Sequence, residues 1–175
     1  MLALGVFVHA FARAEGVLHN LLRHHARLSP GAAAALFAGV RMKSAMDAMR
    51  RLFEVRGNTT EAEALDRPFK HLNDISSIRD DLLHFGAEED VFGELFVTNA
   101  SRKHLPKKAT TRRISAADLH AMTVDLDTIR FHFIASVIRR SRWDSGKFMQ
   151  AFDRARQRPW RYRPRSPIGL PDRSP

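Results

Sequence analysis

The sequence predicts an all-α protein, an antiparallel four-helix bundle with a small inserted β-hairpin and a disordered basic C-terminal tail. Four segments carry apolar residues at alternating spacings of three and four, which is the period of one helix face. Two strand-like runs interrupt this period between the third and fourth segments. Five of the eight prolines lie after position 142, where a packed core is not expected. We therefore divide the chain into a helical bundle at 1–142, with the hairpin at about 93–114, and a tail at 143–175.

The first two helices are predicted from their apolar stripes and their stop signals. The first begins near Leu4 and ends before Ser29-Pro30-Gly31. The second is predicted as one helix from about Ala32 to Val55, ending at Gly57-Asn58. Its inward residues are expected to be Leu36, Val40, Met46, Met49 and Phe53.

The third helix is predicted to start with a capping box formed by Thr60 and Glu63 and to end at Gly86. Pro68 is compatible with the first turns of a helix or with a kink, so regular helix is expected to start nearer Arg67.

The strand-like runs and the last helix follow. Residues 93–99 and 109–114 are candidate strands, and a basic loop containing Pro106 joins them. Ser115 and Asp118 are expected to cap the fourth helix. Its stripe is the most regular in the sequence: Leu119, Met122, Leu126, Ile129, Phe133 and Val137. Because helices with short connections can bury such stripes only against each other, a bundle is predicted.

Composition excludes several classes of protein. The chain has 175 residues and no cysteine, so disulfides, thiol catalysis and Cys-ligated metal sites are excluded. The longest apolar run, at the N-terminus, is shorter than the roughly 18 residues expected of a membrane span. No basic residue precedes it, which favours a helix over a signal peptide. We therefore expect a cytoplasmic protein.

The net charge of +10 is unevenly distributed. Most of the excess lies after Ile138, and the segment Arg102–Arg113 has six basic residues and no acidic one. In the tail, a short amphipathic helix is expected around Phe148, Met149 and Phe152, and arginines then alternate with aromatics from Pro159 to Arg165. Such a segment can neutralise phosphates and stack on exposed bases. A solubilising end with nonspecific affinity for polyanions is the alternative.

Arg79 is the anomalous residue of the third predicted helix. At 100° per residue it lies about 20° from the centre of the apolar arc. Arginine does not lose its proton in a protein, so a guanidinium there needs an acceptor, a solvated cleft or a partner subunit. Asp80 precedes His84 by four residues and is expected to reach its imidazole. An internal ion pair of Arg79 with Glu15 or Asp47 is the alternative.

The segment Ile78-Arg79-Asp80-Asp81-Leu82-Leu83-His84-Phe85-Gly86 resembles the Arg-polar-x3-His motif of the HEPN superfamily of helical-bundle domains. In that superfamily the motif closes the third helix of a four-helix bundle, a hairpin sometimes follows, and a long fourth helix completes the core. The resemblance covers roughly Leu4 to Arg140. The polar position here is aspartate, where asparagine is common in the superfamily.

The resemblance implies a metal-independent endoribonuclease whose paired motifs face each other across a dimer cleft. It implies that His84 is the general base or acid, that Arg79 stabilises charge on the phosphate, and that Asp80 orients His84. It implies a homodimer, RNA and a cognate antitoxin as partners, and chemistry that uses no metal or cofactor. The short apolar run predicts that no membrane is a partner. Because many members are non-catalytic, the alternative is a HEPN-like dimerisation or RNA/nucleotide-binding module.

The basic loop is the predicted RNA contact, because it follows the motif helix directly. Its contact residues are expected to be Arg102, Lys103, Lys107, Lys108, Arg112 and Arg113. A solvated hairpin tip is the alternative. The histidines near the end of the first helix, His19, His24 and His25, lack the spacing of metal ligands, so no metal site is expected.

Overall fold

Helices dominate the fold, and a small antiparallel sheet accompanies them. The computed structural model describes residues 2–86, 88–89, 95–98, 110–140, 150, 154, 157–164 and 168–169. Within these ranges the helices are α1 (Leu2–Ala26), α2 (Pro30–Phe37), α3 (Met42–Arg56), α4 (Thr59–Phe85) and α5 (Ala116–Arg140). The strands are β1 (Glu88–Glu89), β2 (Leu95–Thr98), β3 (Thr110–Ile114) and β4 (Ile168–Gly169). Helix α1 packs on α3 and α5, α3 packs on α4, and α4 packs on α5.

Helix α1 confirms the first predicted helix. Its predicted stripe lies in the core, with Phe7, Leu18 and Leu21 fully buried. The helix ends before Ser29, whose Oγ accepts a hydrogen bond from the Ala32 N–H at 3.2 Å and so caps α2.

The second predicted helix is wrong as a single element, because the structure divides it into α2 and α3. The chain turns at Gly39, whose φ of 74° favours glycine, and the Val40 N–H bonds to the Phe37 carbonyl. Helix α2 is rich in alanine and buries only Ala33, so little packing holds it in line with α3. Leu36, predicted to point inward, is 63% exposed.

Helix α3 ends as predicted at Gly57, which adopts the left-handed conformation. Helix α4 begins at Thr59, and the cap residue Asn58 makes no side-chain hydrogen bond there. The predicted Thr60–Glu63 capping box and the later start near Arg67 are therefore wrong. Pro68 lies buried inside the continuous helix, because packing in the core offsets its missing N–H.

Helix α5 confirms the predicted cap and stripe. The Asp118 N–H bonds to Ser115 Oγ at 3.1 Å, and Asp118 Oδ2 accepts from the Ser115 N–H at 2.9 Å. These reciprocal bonds satisfy donors that the first turn of a helix leaves without partners. The predicted stripe is fully buried from Leu119 to Phe133.

The predicted hairpin strands are also confirmed. Strands β2 and β3 pair antiparallel, with Leu95 opposite Ile114 and Val97 opposite Arg112. Val97 and Ile114 are buried in the core. The short strands β1 and β4 extend this sheet in the order β1-β2-β3-β4. The joining loop, residues 99–109, lies outside the described residues.

The tail differs from its prediction in the part that the structure describes. Residues 158–164, which we call the C-terminal arm, pack on α4 and α5, and Tyr162 is only 7% exposed. Strand β4 pairs with β3. The prediction of disorder is therefore wrong for these residues, because they find specific partners on the helices and the sheet. The predicted helix around Phe148 lies outside the described residues.

Among the described helices, α1 alone has the length and apolar character that a membrane crossing requires. A core helix of a soluble protein meets the same criterion, and α1 contributes one face to the core. The cytoplasmic location stays a prediction.

Candidate functional site

Arg79 lies near the C-terminal end of α4, at the edge of the buried face. Its neighbour Ile78 is fully buried, Leu82 is 5% exposed, and Leu83 is 49% exposed. The side chain of Arg79 keeps 32% of its surface accessible. The expectation that it occupies the centre of the buried arc is therefore wrong. Helix α4 packs on α3 and α5 and also on β2, so its buried side changes along its length.

Two groups contact the Arg79 guanidinium, the carboxylate of Asp80 and the ring of Phe11. Its Nη1 donates to Asp80 Oδ1 at 2.8 Å, and its Cζ lies 5.1 Å from the centre of the Phe11 ring. The ring of Phe11 is buried, so this cation–π contact holds the guanidinium against the core. The Nε atom is buried and has no hydrogen-bond partner. The acceptor of Arg79 is thus its own neighbour, and not Glu15 or Asp47.

His84 is exposed and lies five residues beyond Arg79, which is about 140° around the helix. Its ring lies 6.5 Å from that of Phe85, in an edge-to-face arrangement. Asp80 bonds to Arg79 and not to His84, so the expected contact between Asp80 and the His84 imidazole is not made in this structure, and the catalytic roles of the three residues stay predictions. The physical reason is the long arginine side chain, which folds back onto the adjacent carboxylate.

The predicted RNA-contact residues fall into two groups. Arg112 of β3 reaches α4, where its Nε lies 3.3 Å from Asp81 Oδ2 and its Nη2 donates to Ser77 Oγ at 3.5 Å. Arg113, the next residue, is exposed. Arg112 therefore links β3 to the motif helix, on which the neighbouring strand β2 packs. Arg102, Lys103, Lys107 and Lys108 lie outside the described residues.

A second polar site lies between α4, α5 and the C-terminal arm, around the buried carboxylate of Asp125. Asp125 is 2% exposed. Its Oδ1 accepts from the Arg161 N–H at 2.9 Å, and its Oδ2 accepts from the Tyr162 N–H at 2.8 Å. Oδ2 also accepts from His71 Nε2 at 2.9 Å, and His71 is itself 5% exposed. One carboxylate thus holds two backbone groups of the arm and one side chain of α4.

The aromatic ring of Trp160 completes this site. It stacks on the His71 imidazole, with centroids 4.5 Å apart and planes inclined by 7°. The Arg67 guanidinium lies 5.0 Å from the Trp160 ring, and its Nη2 donates to the Arg158 carbonyl at 3.0 Å. The arm is therefore anchored by its backbone and by an aromatic side chain.

Sequence reasoning missed this second site. Two signals were present. Asp125 directly precedes a stripe residue of α5, and the tail contains Trp160 and Tyr162 although segments that remain disordered are poor in aromatic residues. Neither signal identifies the partner.

The histidines of α1 make contacts within the fold. His19 Nε2 donates to the Val40 carbonyl at 3.0 Å. A 3.3 Å hydrogen bond joins His25 Nε2 to Ser136 Oγ, and the His25 ring packs edge-on against Phe53. Among the described residues, no three potential metal ligands of this kind come together. Comparisons of the chain with protein-family models, with characterised proteins and with solved structures found no significant match.

Proposed function

We propose that the protein is a HEPN-like, metal-independent endoribonuclease whose active site is shared between two copies of the chain. The observation that carries this proposal is the accessibility of Arg79 and His84 at the same end of α4. In this proposal the long helices α1, α3, α4 and α5 form the antiparallel four-helix bundle. The pairwise packing of α1 with α3 and α5, and of α4 with α3 and α5, supports it.

The proposed chemistry needs both motifs. His84 accepts the proton of a ribose 2′-hydroxyl while this oxygen attacks the adjacent phosphorus. The bond to the leaving 5′-oxygen then breaks, and the partner subunit's His84 donates a proton to that oxygen. Arg79 stabilises the negative charge that develops on the phosphate. Because His84 and Arg79 do not contact each other within one chain, a facing copy supplies the second half of the site.

Asp80 receives a corrected role in this proposal. It holds the Arg79 guanidinium at 2.8 Å and competes with an RNA phosphate for it. We expect Asp80→Asn to bind RNA more tightly, because the competing negative charge is removed while the shape is kept.

The test is cleavage of a single-stranded RNA in the presence of a chelator. We expect Arg79→Ala and His84→Ala each to abolish cleavage while circular dichroism remains unchanged. Matched controls are Arg51→Ala and His9→Ala, which change exposed residues of α3 and α1 and should cleave normally. Cleavage that persists in both motif variants, or that requires added divalent metal, would contradict the mechanism.

The dimer is tested separately by light scattering. A mass of about twice 19.9 kDa is expected at micromolar concentration. A monomer would remove the shared site and with it the nuclease.

The second candidate is a non-catalytic HEPN-like module for dimerisation or RNA/nucleotide binding. The ion pair between Arg79 and Asp80 favours it, because a guanidinium already paired within its own chain is less available to a phosphate. This candidate predicts RNA binding without cleavage. A cognate antitoxin stays a prediction under both candidates.

A further inference from the structure

A cavity of about 410 Å³ lies between α4 and the C-terminal arm, away from Arg79 and His84. Helix α4 contributes Arg67, Lys70 and Asp74 to its wall, and the arm contributes Trp160 and Arg163. Lys70 and Arg163 are exposed, so their charges are accessible to a ligand from solvent. Three cations and one carboxylate give the wall an excess of positive charge.

This charge balance distinguishes the cavity from one of similar size between α3 and α4. The second cavity, of about 430 Å³, has one cation, Arg50, against the carboxylates of Glu54, Glu63 and Asp66. An anion is therefore attracted to the cavity beside the C-terminal arm and repelled by the cavity between α3 and α4. The excess does not follow simply from the net positive charge of the chain, since the two cavities lie on the same protein.

The arm holds the side chain of one cation, Arg67, and its anchored backbone places a second, Arg163. Arg67 is held by its hydrogen bond to the Arg158 carbonyl and by its contact with Trp160. Arg163 directly follows Tyr162, whose N–H is bonded to the buried carboxylate of Asp125. A donor that is already positioned, as Arg67 is, loses less conformational entropy when the site binds a ligand.

The geometry also decides which part of a nucleic acid the cavity accepts. The Trp160 ring already stacks on His71 and contacts Arg67, and Tyr162 is 7% exposed. Neither ring can stack on a base unless the arm leaves its place. The base-stacking role predicted for this segment is therefore not available while the arm is docked, and charge recognition remains.

We infer that the cavity is a phosphate-binding site for single-stranded RNA or a free nucleotide, and that it binds the phosphate without distinguishing the base. His71, which lines this cavity, lies 13 positions before His84 on α4. The proposed phosphate binding therefore does not depend on the proposed nuclease activity. Its arginines and lysine would hold phosphate oxygens by charge-assisted hydrogen bonds.

The test measures binding by fluorescence anisotropy with labelled 2′-O-methyl oligonucleotides of adenosine and of uridine. These probes lack the 2′-hydroxyl, so they cannot be cleaved by the proposed mechanism, and loss of nuclease activity does not affect the result. Lys70→Gln and Arg163→Gln are each expected to weaken binding about fivefold at 0.1 M salt, and to lower the salt slope by about 0.7. Arg51→Gln on α3 removes the same charge at an exposed position and is the matched control.

Equal affinity for the two oligonucleotides, loss in both site variants and no loss in the control would support the inference. Displacement of the oligonucleotides by a nucleoside diphosphate would identify a free nucleotide as a ligand, whereas oligonucleotide binding that a nucleoside diphosphate does not displace would identify RNA. Unchanged affinity in the Lys70→Gln/Arg163→Gln double variant would overturn it, and so would an equal loss in Arg51→Gln. A tenfold preference for one base would also overturn it. Circular dichroism of each variant verifies that the fold is intact.

Discussion

Replacing Asp125 by asparagine tests how the C-terminal arm is held on the helices. The carboxylate accepts three hydrogen bonds of 2.8–2.9 Å, from the backbone N–H groups of Arg161 and Tyr162 and from His71. Asparagine has nearly the same shape but offers only one acceptor oxygen. In either orientation of its amide, its NH2 group faces one of the two backbone donors.

The expected loss of stability follows from the number of hydrogen bonds that asparagine can still accept. At least one hydrogen bond to a charged acceptor is lost, which costs about 1.5–3 kcal/mol, and the remaining bonds become neutral. Neutralising Asp125 also removes the cost of burying a charge. We therefore expect the free energy of unfolding to fall by about 2 kcal/mol, which lowers the melting temperature by about 4–8 °C. The fall in the free energy of unfolding cannot exceed the free energy with which the arm docks on the helices. Beyond that limit the arm detaches, and its backbone N–H groups bond to water instead.

Two assays report on this change. Urea unfolding followed by circular dichroism gives the free energy of unfolding. Limited digestion with trypsin, analysed by mass spectrometry, reports cleavage after Arg161, which should accelerate when the arm detaches. In a Trp143→Phe background, Trp160 is the sole tryptophan, and its fluorescence should shift to longer wavelength.

The matched control is Asp127→Asn on the same helix. Asp127 is 57% exposed and pairs with Arg130 at 2.6 Å, so its neutralisation should change stability by less than about 0.5 kcal/mol. If Asp125→Asn unfolds at the same urea concentration as this control, with the same rate of cleavage after Arg161, the carboxylate does not hold the arm.

Further predictions concern the helices, and urea unfolding checks each of them. Gly57→Ala should cost about 1 kcal/mol, because φ is 64° there and an added Cβ meets no neighbour within 4 Å, so the loss is conformational. A cost near zero would argue against the left-handed cap. Ser115→Ala should cost about 1 kcal/mol through loss of the bonds that begin α5, whereas Ser44→Ala, at an exposed position inside α3, should change little. Phe69→Ala should cost about 3–5 kcal/mol, because the ring is 1% exposed and packs on Phe133 at 5.6 Å. A loss below about 1 kcal/mol would contradict this estimate, because it would mean that the core refills the space left by the Phe69 ring.

The sequence identified the elements whose signals are local. The Ser115 and Asp118 cap lies three residues apart, and the stripe of α5 repeats within each turn. Helix α3 ends at Gly57 because glycine readily adopts the left-handed conformation, which other residues avoid. The hairpin strands were likewise predicted from their own residue types. Such signals are visible in a single sequence because they involve neighbouring positions.

The candidate motif was only partly predictable. The spacing of Arg79 and His84 along α4 predicted which residues to examine. The partner of Asp80 was not predictable, since both Arg79 and His84 were within reach and packing of the guanidinium on Phe11 favoured one of them. The same holds for the break between α2 and α3. The apolar pattern continues across Gly39, although α2 itself buries only Ala33.

Tertiary structure alone decided the position of the C-terminal arm. Composition described it as a basic, proline-rich segment, and this description holds for its charge. Its anchorage joins Asp125 to residues 36 and 37 positions later, and to a histidine 54 positions earlier. Hydrogen bonds over such separations form only when the helices have already brought His71 and Asp125 together, so no local pattern in the sequence records them.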